Sequence, residues 1–367
     1  MNTELQDISA QYINQSFVRK LDEGRVKEAQ DEGSRFIRSK LRQESFAREI
    51  IAPVEIGADE IDRDENTDQP KKIIEKEPDS VATFVTFKGS GQRTFFRGPR
   101  YSVFFGKIET QHFSKSKFEL LTYQNDIRKI LTDNSVKDMA DEEDKKFLET
   151  VNAAMDQVGN RVFLHDGVQK SFTDGDKTED ELVGDNGIAL NPDFDVDFNP
   201  GNGGDGKGGS RQFKFNDLKA GNRFHCNGSP LTKELIAQIF QSMTMKRLPI
   251  GKLLMTKSTF MEAIKFDQSE VGDSTVARHY SQGLEGEDKL FGIPVVTTIK
   301  NDIVKDDEIY LFAPQNYLGN FFLLQDATLF IKQEADMIEF WSYSAPGIGI
   351  GNALGAARIE GFSAIGG

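Results

Sequence analysis

Residue types that could bind a nucleotide are concentrated in one glycine-rich run. Gly201–Gly208 ends in glycine, lysine and glycine, which approaches the loop that holds phosphates in many nucleotide-binding proteins. That loop needs Ser or Thr after the lysine to hold magnesium, and Gly208 stands at this position. It also needs a strand before it and a helix after it, and the flanking residues are polar and irregular. We therefore expect a solvated glycine loop and no nucleotide site.

A second glycine pattern lies near the C-terminus. Gly347, Gly349 and Gly351 alternate with isoleucines, and Gly355 follows, a spacing close to that of a dinucleotide-binding turn. No strand that carries a ribose-binding acid follows them, so the required context is missing. A tight bend, or a close approach of the backbone to another subunit, explains these glycines better.

Metal-binding residue types are present without a complete ligand set. Asp193, Asp195 and Asp197 resemble the first ligands of a calcium loop, but Pro200 replaces its glycine and Gly206 its final glutamate. The four histidines are scattered, and only one adjoins the single cysteine, which does not make a zinc site. The sequence predicts no catalytic residue, no cofactor and no metal site, so we expect a protein that is not an enzyme.

Composition limits the broad class of protein. The chain has 367 residues, 37% of them hydrophobic, enough for one large domain or a few small ones. No apolar run approaches the roughly 18 residues that a membrane span requires, and the first residues lack the pattern of a signal peptide. The lone Cys226 excludes an intrachain disulfide and fits a reducing compartment.

Charge is distributed unevenly along the chain. The net charge of −14 opposes tight, sequence-specific binding to nucleic acid. Residues 81–125 contain seven basic and two acidic side chains, whereas residues 165–210 contain eleven acidic and three basic ones. Two interpretations remain open: complementary contacts between copies of the chain, or two independently solvated surfaces.

The spacing of apolar residues predicts which parts of the first half of the chain are helical. Residues 3–50 are expected to be helical with a stop at Gly24, and 51–80, acidic and interrupted by prolines, to be an extended connector. A long helix is predicted over 125–158, with an alternative break near Asn134 and Ser135. Residues 166–225 lose periodicity and are expected to form an acidic, glycine-rich surface insertion.

Residues 81–113 combine strand alternation with many aromatic side chains. The glycines at 89 and 91 and the Gly98–Pro99 pair indicate turns, so we expect a long β-hairpin with apolar residues on both faces. A two-stranded hairpin is marginal in water by itself, and its aromatic side chains need a surface to cover them. That surface belongs either to the same subunit or to a neighbouring one.

The second half alternates helices and strands without a regular βαβ order. A helix is expected at 229–247, then a strand KLLMT, a short helix opened by a Thr259–Glu262 capping box, and strands within KLFGIPVVTTI, EIYLFAP and NFFLLQDATLFIKQEADMIEFWSYS. The fold class is therefore predicted to be α+β.

This order of elements resembles the Hong-Kong-97-type capsid fold of the major capsid proteins of tailed double-stranded DNA phages. The local match is KLLMTKSTFMEAIKF, then a polar loop, KLFGIPVVTTIK and EIYLFAP. The resemblance implies four parts: an N-terminal arm at 1–75, an extended loop at 76–124, a peripheral domain at 125–227 and 322–350 with the spine helix 125–158, and an axial domain at 228–321 and 351–367. The region 166–225 has no counterpart in the family.

The same resemblance implies that the extended loop contacts neighbouring subunits. The residues expected to make these contacts are aromatic or basic: Phe84, Phe87, Lys88, Arg93, Phe95, Phe96, Arg97, Arg100, Tyr101, Phe104 and Phe105. Burial of the aromatic rings would supply much of the assembly free energy.

A capsid function implies specific partners. The chain is expected to assemble with itself into hexameric and pentameric capsomers of an icosahedral shell, with scaffolding, portal and decoration proteins as further partners. Packaged DNA would be contacted without sequence specificity, and no membrane is involved. The location would be the virion, after assembly in the host bacterial cytoplasm. Two alternatives stay open: another structural virion protein, such as a tail tube or decoration protein, and an enzyme built on the acidic glycine loop.

Overall fold

A computed structural model of the chain describes most of the elements predicted from the sequence. It describes residues 3–75, 100–122, 126–158, 161–164, 187–190, 222–226, 246–264 and 289–363, and the helical residues Ile236, Ile239, Phe240, Met243 and Thr244. Helices mix with parallel and antiparallel strands, so the predicted α+β class is confirmed. The described residues form two compact units.

Unit 1 contains the described parts of Met1–Leu41, Pro53–Met139 and Asn320–Gly351. Its larger sheet joins β1 (Val54–Glu55), β14 (Gly319–Glu334), β15 (Met337–Ile350), β5 (Ile108–Glu109) and β6 (Phe113–Ser116). Its smaller sheet has the order β2 (Asp62–Arg63), β3 (Pro70–Glu75) and β4 (Arg100–Phe104). The predicted connector 51–80 is therefore wrong in its described part, because Ile73 and Ile74 lie in a paired strand that the surrounding acidic residues concealed.

Two N-terminal helices cover one face of the larger sheet. They are α1 (Thr3–Asp22) and α2 (Val26–Glu44), followed by the short α3 (Phe46–Ile50). The ring of Phe17 stacks on Phe340 at 5.9 Å between centroids, and the Ser34 hydroxyl accepts a 2.9 Å hydrogen bond from the Leu329 amide. The helical prediction for 3–50 is confirmed, with a break at Ser45, whose hydroxyl caps α3.

The opposite face of the larger sheet carries a stack of rings. Tyr343, Phe330, Trp341 and His112 follow one another at 5.1, 5.6 and 4.6 Å between centroids, with nearly parallel planes. Cross-strand aromatic pairs of this kind stabilise a sheet beyond simple area burial. The stack therefore joins β14, β15 and the segment between β5 and β6.

A long helical segment follows α4 (Lys117–Thr122). It comprises α5 (Ile127–Leu131), a π-helical segment Thr132–Val136 and α6 (Lys137–Val158). The predicted helix 125–158 is confirmed over its described residues, and the π segment lies where a break was the alternative. The predicted apolar stripe is buried at Ile127, Ile130, Leu131, Met139, Phe147, Leu148, Val151 and Met155.

Unit 2 contains the described parts of Arg42–Ala52, Ala140–Gly319 and Asn352–Gly367. Its central strands are β10 (Lys252–Thr256), β12 (Ile293–Thr298), β13 (Glu308–Phe312) and β16 (Ala356–Glu360), with β11 (Lys289–Leu290) on the outer side of β12. On the other side β16 pairs with β9 (Arg223–His225), β9 pairs with β7 (Arg161–Leu164), and β7 pairs with the edge strand β8 (Gly187–Leu190). Strands β8 and β9 lie within the predicted insertion 166–225, so the loss of periodicity there did not exclude paired strands.

Helix α7 (Lys257–Ile264) begins earlier than the predicted capping box. The hydroxyl of Thr256 accepts a hydrogen bond from the Thr259 amide at 3.2 Å, so Thr256 fills the capping role. Thr259 instead donates its hydroxyl to the Asp306 carbonyl oxygen at 2.5 Å. The last described helix, α8 (Gln315–Leu318), precedes β14.

Buried charges in unit 2 fix α3 to α6. Arg48 and Glu143 are almost fully buried and form a bidentate ion pair with two 2.7 Å contacts. Asp144 accepts hydrogen bonds from the Ser45 hydroxyl and the Ala47 amide, and pairs with Lys300 at 2.6 Å. Desolvation raises the pKa of the Asp144 carboxyl despite these partners. Its charge is thus held in place by Lys300 at an energetic cost.

Gly24 has the left-handed conformation expected at a helix end, with φ of 74° and nothing within 4 Å of the place that a side-chain methyl group would occupy. Gly24→Ala should lower the free energy of unfolding by about 1 kcal/mol, because only backbone strain is added. Gly106→Ala is the control, since Gly106 also has open space but no positive φ. Chemical denaturation measures both. Equal stability of the two variants would contradict this role for Gly24.

Lys300→Met should destabilise the protein in a pH-dependent way. It leaves Asp144 without its cation, at a cost on the order of 2–3 kcal/mol at neutral pH. The folded-state pKa of Asp144 is already raised above its unfolded value, so protonation favours the folded state. Without Lys300 the pKa of Asp144 rises further, so the loss should shrink as falling pH protonates the unpaired carboxyl. Denaturant titrations from neutral to acidic pH check this, with exposed Lys145→Met as the control.

Candidate inter-subunit ribbon

Strands β3 and β4 form an antiparallel ribbon, and residues 76–99 lie between them in the sequence. The register pairs Glu75 with Arg100, Ile73 with Ser102 and Lys71 with Phe104. We refer to β3 and β4, together with Phe105 directly after β4, as the ribbon. The predicted contact residues Phe84, Phe87, Lys88, Arg93, Phe95, Phe96 and Arg97 lie outside the described residues; Arg100, Tyr101, Phe104 and Phe105 lie within them.

The inner face of the ribbon packs within unit 1. Val103 and Phe105 are buried, and they form a cluster with Ile56 and Phe322 to which Ile74 and Tyr101 add half-buried side chains. The Tyr101 hydroxyl accepts a 2.9 Å hydrogen bond from the Asn320 amide group, and burial raises the pKa of this tyrosine. Tyr101 and Phe105 thus already have partners in their own subunit.

The outer face of the ribbon presents apolar side chains to solvent. Ile73 is 40% exposed and Phe104 45% exposed, and the register places them diagonally on this face. Arg100 is exposed and pairs with Glu75 at 2.5 Å across the two strands. At the other end Lys71 pairs with Asp64 at 2.9 Å, which lowers the pKa of that carboxyl. An apolar centre between charged ends is the arrangement found in many protein interfaces.

Two parts of this arrangement were not predicted from the sequence. Strand β3 was not identified as the partner of β4, so Ile73 was not among the predicted contact residues. The adjacent β-branched residues Ile73 and Ile74 in PKKIIE were the available signal, although the run is short. Gly347 and Gly349 were not assigned to the ribbon either, although these glycines lie directly against Phe105 and Val103.

The described residues do not combine into a metal site. No group of three or more His, Cys, Asp or Glu among them is placed to hold a metal ion. Within that part of the chain, no helix is both long and apolar enough to cross a membrane. The glycine run at 201–208 and the acidic run at 193–199 lie outside the described residues.

The sequence matches no protein-family profile and no curated protein. Among solved structures, it is similar to a virus-like particle from Pyrococcus furiosus, with 11% identity and a TM-score of 0.46 over 90% of this chain and 98% of that chain. The capsid of an empty GTA particle gives 11% identity and a TM-score of 0.46, over 87% of this chain and 90% of that chain. The capsid of the cyanophage P-SCSP1u gives 9% identity and a TM-score of 0.45, over 85% of this chain and 89% of that chain. All three are capsids or virus-like particles.

The exposed apolar centre should contribute little to the stability of the isolated subunit. We expect Phe104→Ser to change the free energy of unfolding by less than about 1 kcal/mol, because nearly half of the side chain is in solvent. Val103→Ser, the neighbouring inward residue, should cost several times more because it is almost fully buried. Denaturation of both variants checks the assignment of faces, and a larger loss for Phe104→Ser would contradict it.

Proposed function

We propose that this chain is the major capsid protein of a tailed double-stranded DNA phage, and that its function is structural rather than enzymatic. The observation that carries this proposal is the ribbon. Its inner face is fixed on its own unit, and its outer face holds Ile73 and Phe104 in solvent. A surface of that kind gains free energy when a second copy covers it.

The order of elements supports the same proposal. N-terminal helices, the ribbon, the long segment from α5 to α6 and a strand-rich C-terminal half follow in the order that the capsid resemblance implies. In this proposal residues 1–75 are the arm, 76–124 the extended loop, 125–227 with 322–350 the peripheral domain, and 228–321 with 351–367 the axial domain. The arm also has contacts in its own subunit through Phe17 and Ser34.

The partners follow from the shell. The chain would form hexameric and pentameric capsomers, joined by scaffolding, portal and decoration proteins, and would enclose DNA without reading its sequence. Assembly would take place in the host cytoplasm, and the mature location would be the virion. The contact residues of the loop would be those predicted above, with Arg100 and Phe104 as the described members that face outward and Ile73 added to them.

Replacing the exposed ring tests the proposal. Phe104→Asp should leave the subunit folded but abolish shells. The substitution removes a buried contact and forces a charge to be desolvated in the interface, which should weaken association by about 2 kcal/mol or more. Sedimentation velocity and negative-stain microscopy measure the products. Tyr317→Asp is the matched control, since the Tyr317 ring is 52% exposed on α8 and lies outside both the ribbon and the proposed extended loop 76–124.

The outcomes separate the candidate functions. Shells from the parent chain and from Tyr317→Asp, with none from Phe104→Asp, support the proposal. A parent chain that stays monomeric at high concentration, alone and with its scaffold, contradicts it. Tubes or small rings in place of closed shells would favour a tail tube or decoration protein.

A further inference from the structure

The ribbon lies against a row of glycines at the end of β15 and directly after it, in a matched antiparallel register. Phe105 bridges to Gly347, Val103 lies over Gly349 and Tyr101 over Gly351. Each step of two residues along β4 is met by a step of two along β15 in the opposite direction. Because side chains alternate between the faces of a strand, all three glycines present the same face to the ribbon. We call these three glycines the glycine slot.

Space alone requires glycine at these positions. A methyl group on Gly347 would lie 2.7 Å from the ring of Phe105, and one on Gly351 would lie 2.7 Å from the Tyr101 hydroxyl. On Gly349 it would overlap Cγ2 of Val103, a branched side chain with little freedom at χ1. None of the three has the positive φ that Gly24 has, so backbone conformation is not the reason.

The neighbouring side chains cannot easily make room. Tyr101 is held at its hydroxyl by Asn320. Val103 and Phe105 are almost fully buried and pack on Phe322 of β14, the next strand of the larger sheet, and on Ile56, which follows β1. A methyl group in the slot would therefore displace the backbone of β4 rather than one side chain.

We infer that Gly347, Gly349 and Gly351 are positioning residues for assembly: they set how closely the ribbon lies on unit 1, and thereby where its outer face meets the next copy. This inference rests on the proposed function, because it concerns the geometry of the shell. The slot determines the position of Ile73 and Phe104 without contacting a neighbour. A shift of the ribbon alters the angle between copies, and this angle determines the curvature of a closed shell.

The test compares one added methyl group with its compensating removal. Gly349→Ala should reduce the yield of particles with the parent diameter roughly tenfold, replacing them with particles of other diameters or open sheets. The double variant Gly349→Ala/Val103→Ala removes the branched side chain that the new methyl meets, and should restore the parent diameter. Gly106→Ala adds a methyl with nothing within 4 Å and should assemble like the parent. Electron microscopy of particle diameters is the measurement.

Thermal unfolding of each subunit separates positioning from stability. All assembly reactions are run well below the melting temperature of the variant, so that the subunits are folded when they assemble. If the glycine slot has a purely structural role, Gly349→Ala lowers the melting temperature but leaves the particle diameter unchanged. Parent-size particles in normal yield from folded Gly349→Ala overturn the inference, and so does a double variant that folds but keeps the altered diameter. If Gly349→Ala does not fold, Gly351→Ala with and without Tyr101→Ala is compared by the same criteria. A parent chain that forms no particles contradicts the proposed function instead.

Discussion

The close packing of two sheets in unit 1 is the constraint on which the ribbon depends. The smaller sheet can rest on the larger one because the glycine slot has no side chains where Tyr101, Val103 and Phe105 lie. The larger sheet is in turn fixed from its other face by α1 and α2, through Phe340 and Leu329. The inner face of the ribbon is therefore rigid. On its outer face Ile73 and Phe104 stay partly exposed to solvent among the described residues.

Unit 2 is stabilised by a different kind of interaction. Its apolar core includes Phe224, Phe260 and Leu311. In addition to this core, unit 2 contains buried ion pairs. Arg48 with Glu143 and Lys300 with Asp144 tie α3 and the segment after β12 to α6. Buried ion pairs add little net stability relative to apolar residues of similar shape, but they penalise any arrangement that leaves one charge unpaired. They therefore specify one position for α3 along the long helix.

Local patterns in the sequence predicted the elements better than their partners. The stripe from Ile127 to Met155 predicted a buried helix because residues three and four apart share a face, and Gly24 marked a helix end because few other residues tolerate its φ. Pairing of β3 with β4, and of Arg48 with Glu143 across 95 positions, depends on long-range packing that no local pattern encodes. For the same reason Phe104 and Phe105 were predicted to make contacts together, whereas the register turns one outward and buries the other.

A capsid function for this chain requires that a neighbouring copy covers the outer face of the ribbon. The most direct measurement is a cryo-electron microscopy reconstruction of particles assembled from the purified chain, together with its scaffold if one is required. Closed shells in which a second copy packs on Ile73 and Phe104 are the predicted result. A shell in which both side chains face solvent, or a protein that forms no particles, would contradict this account.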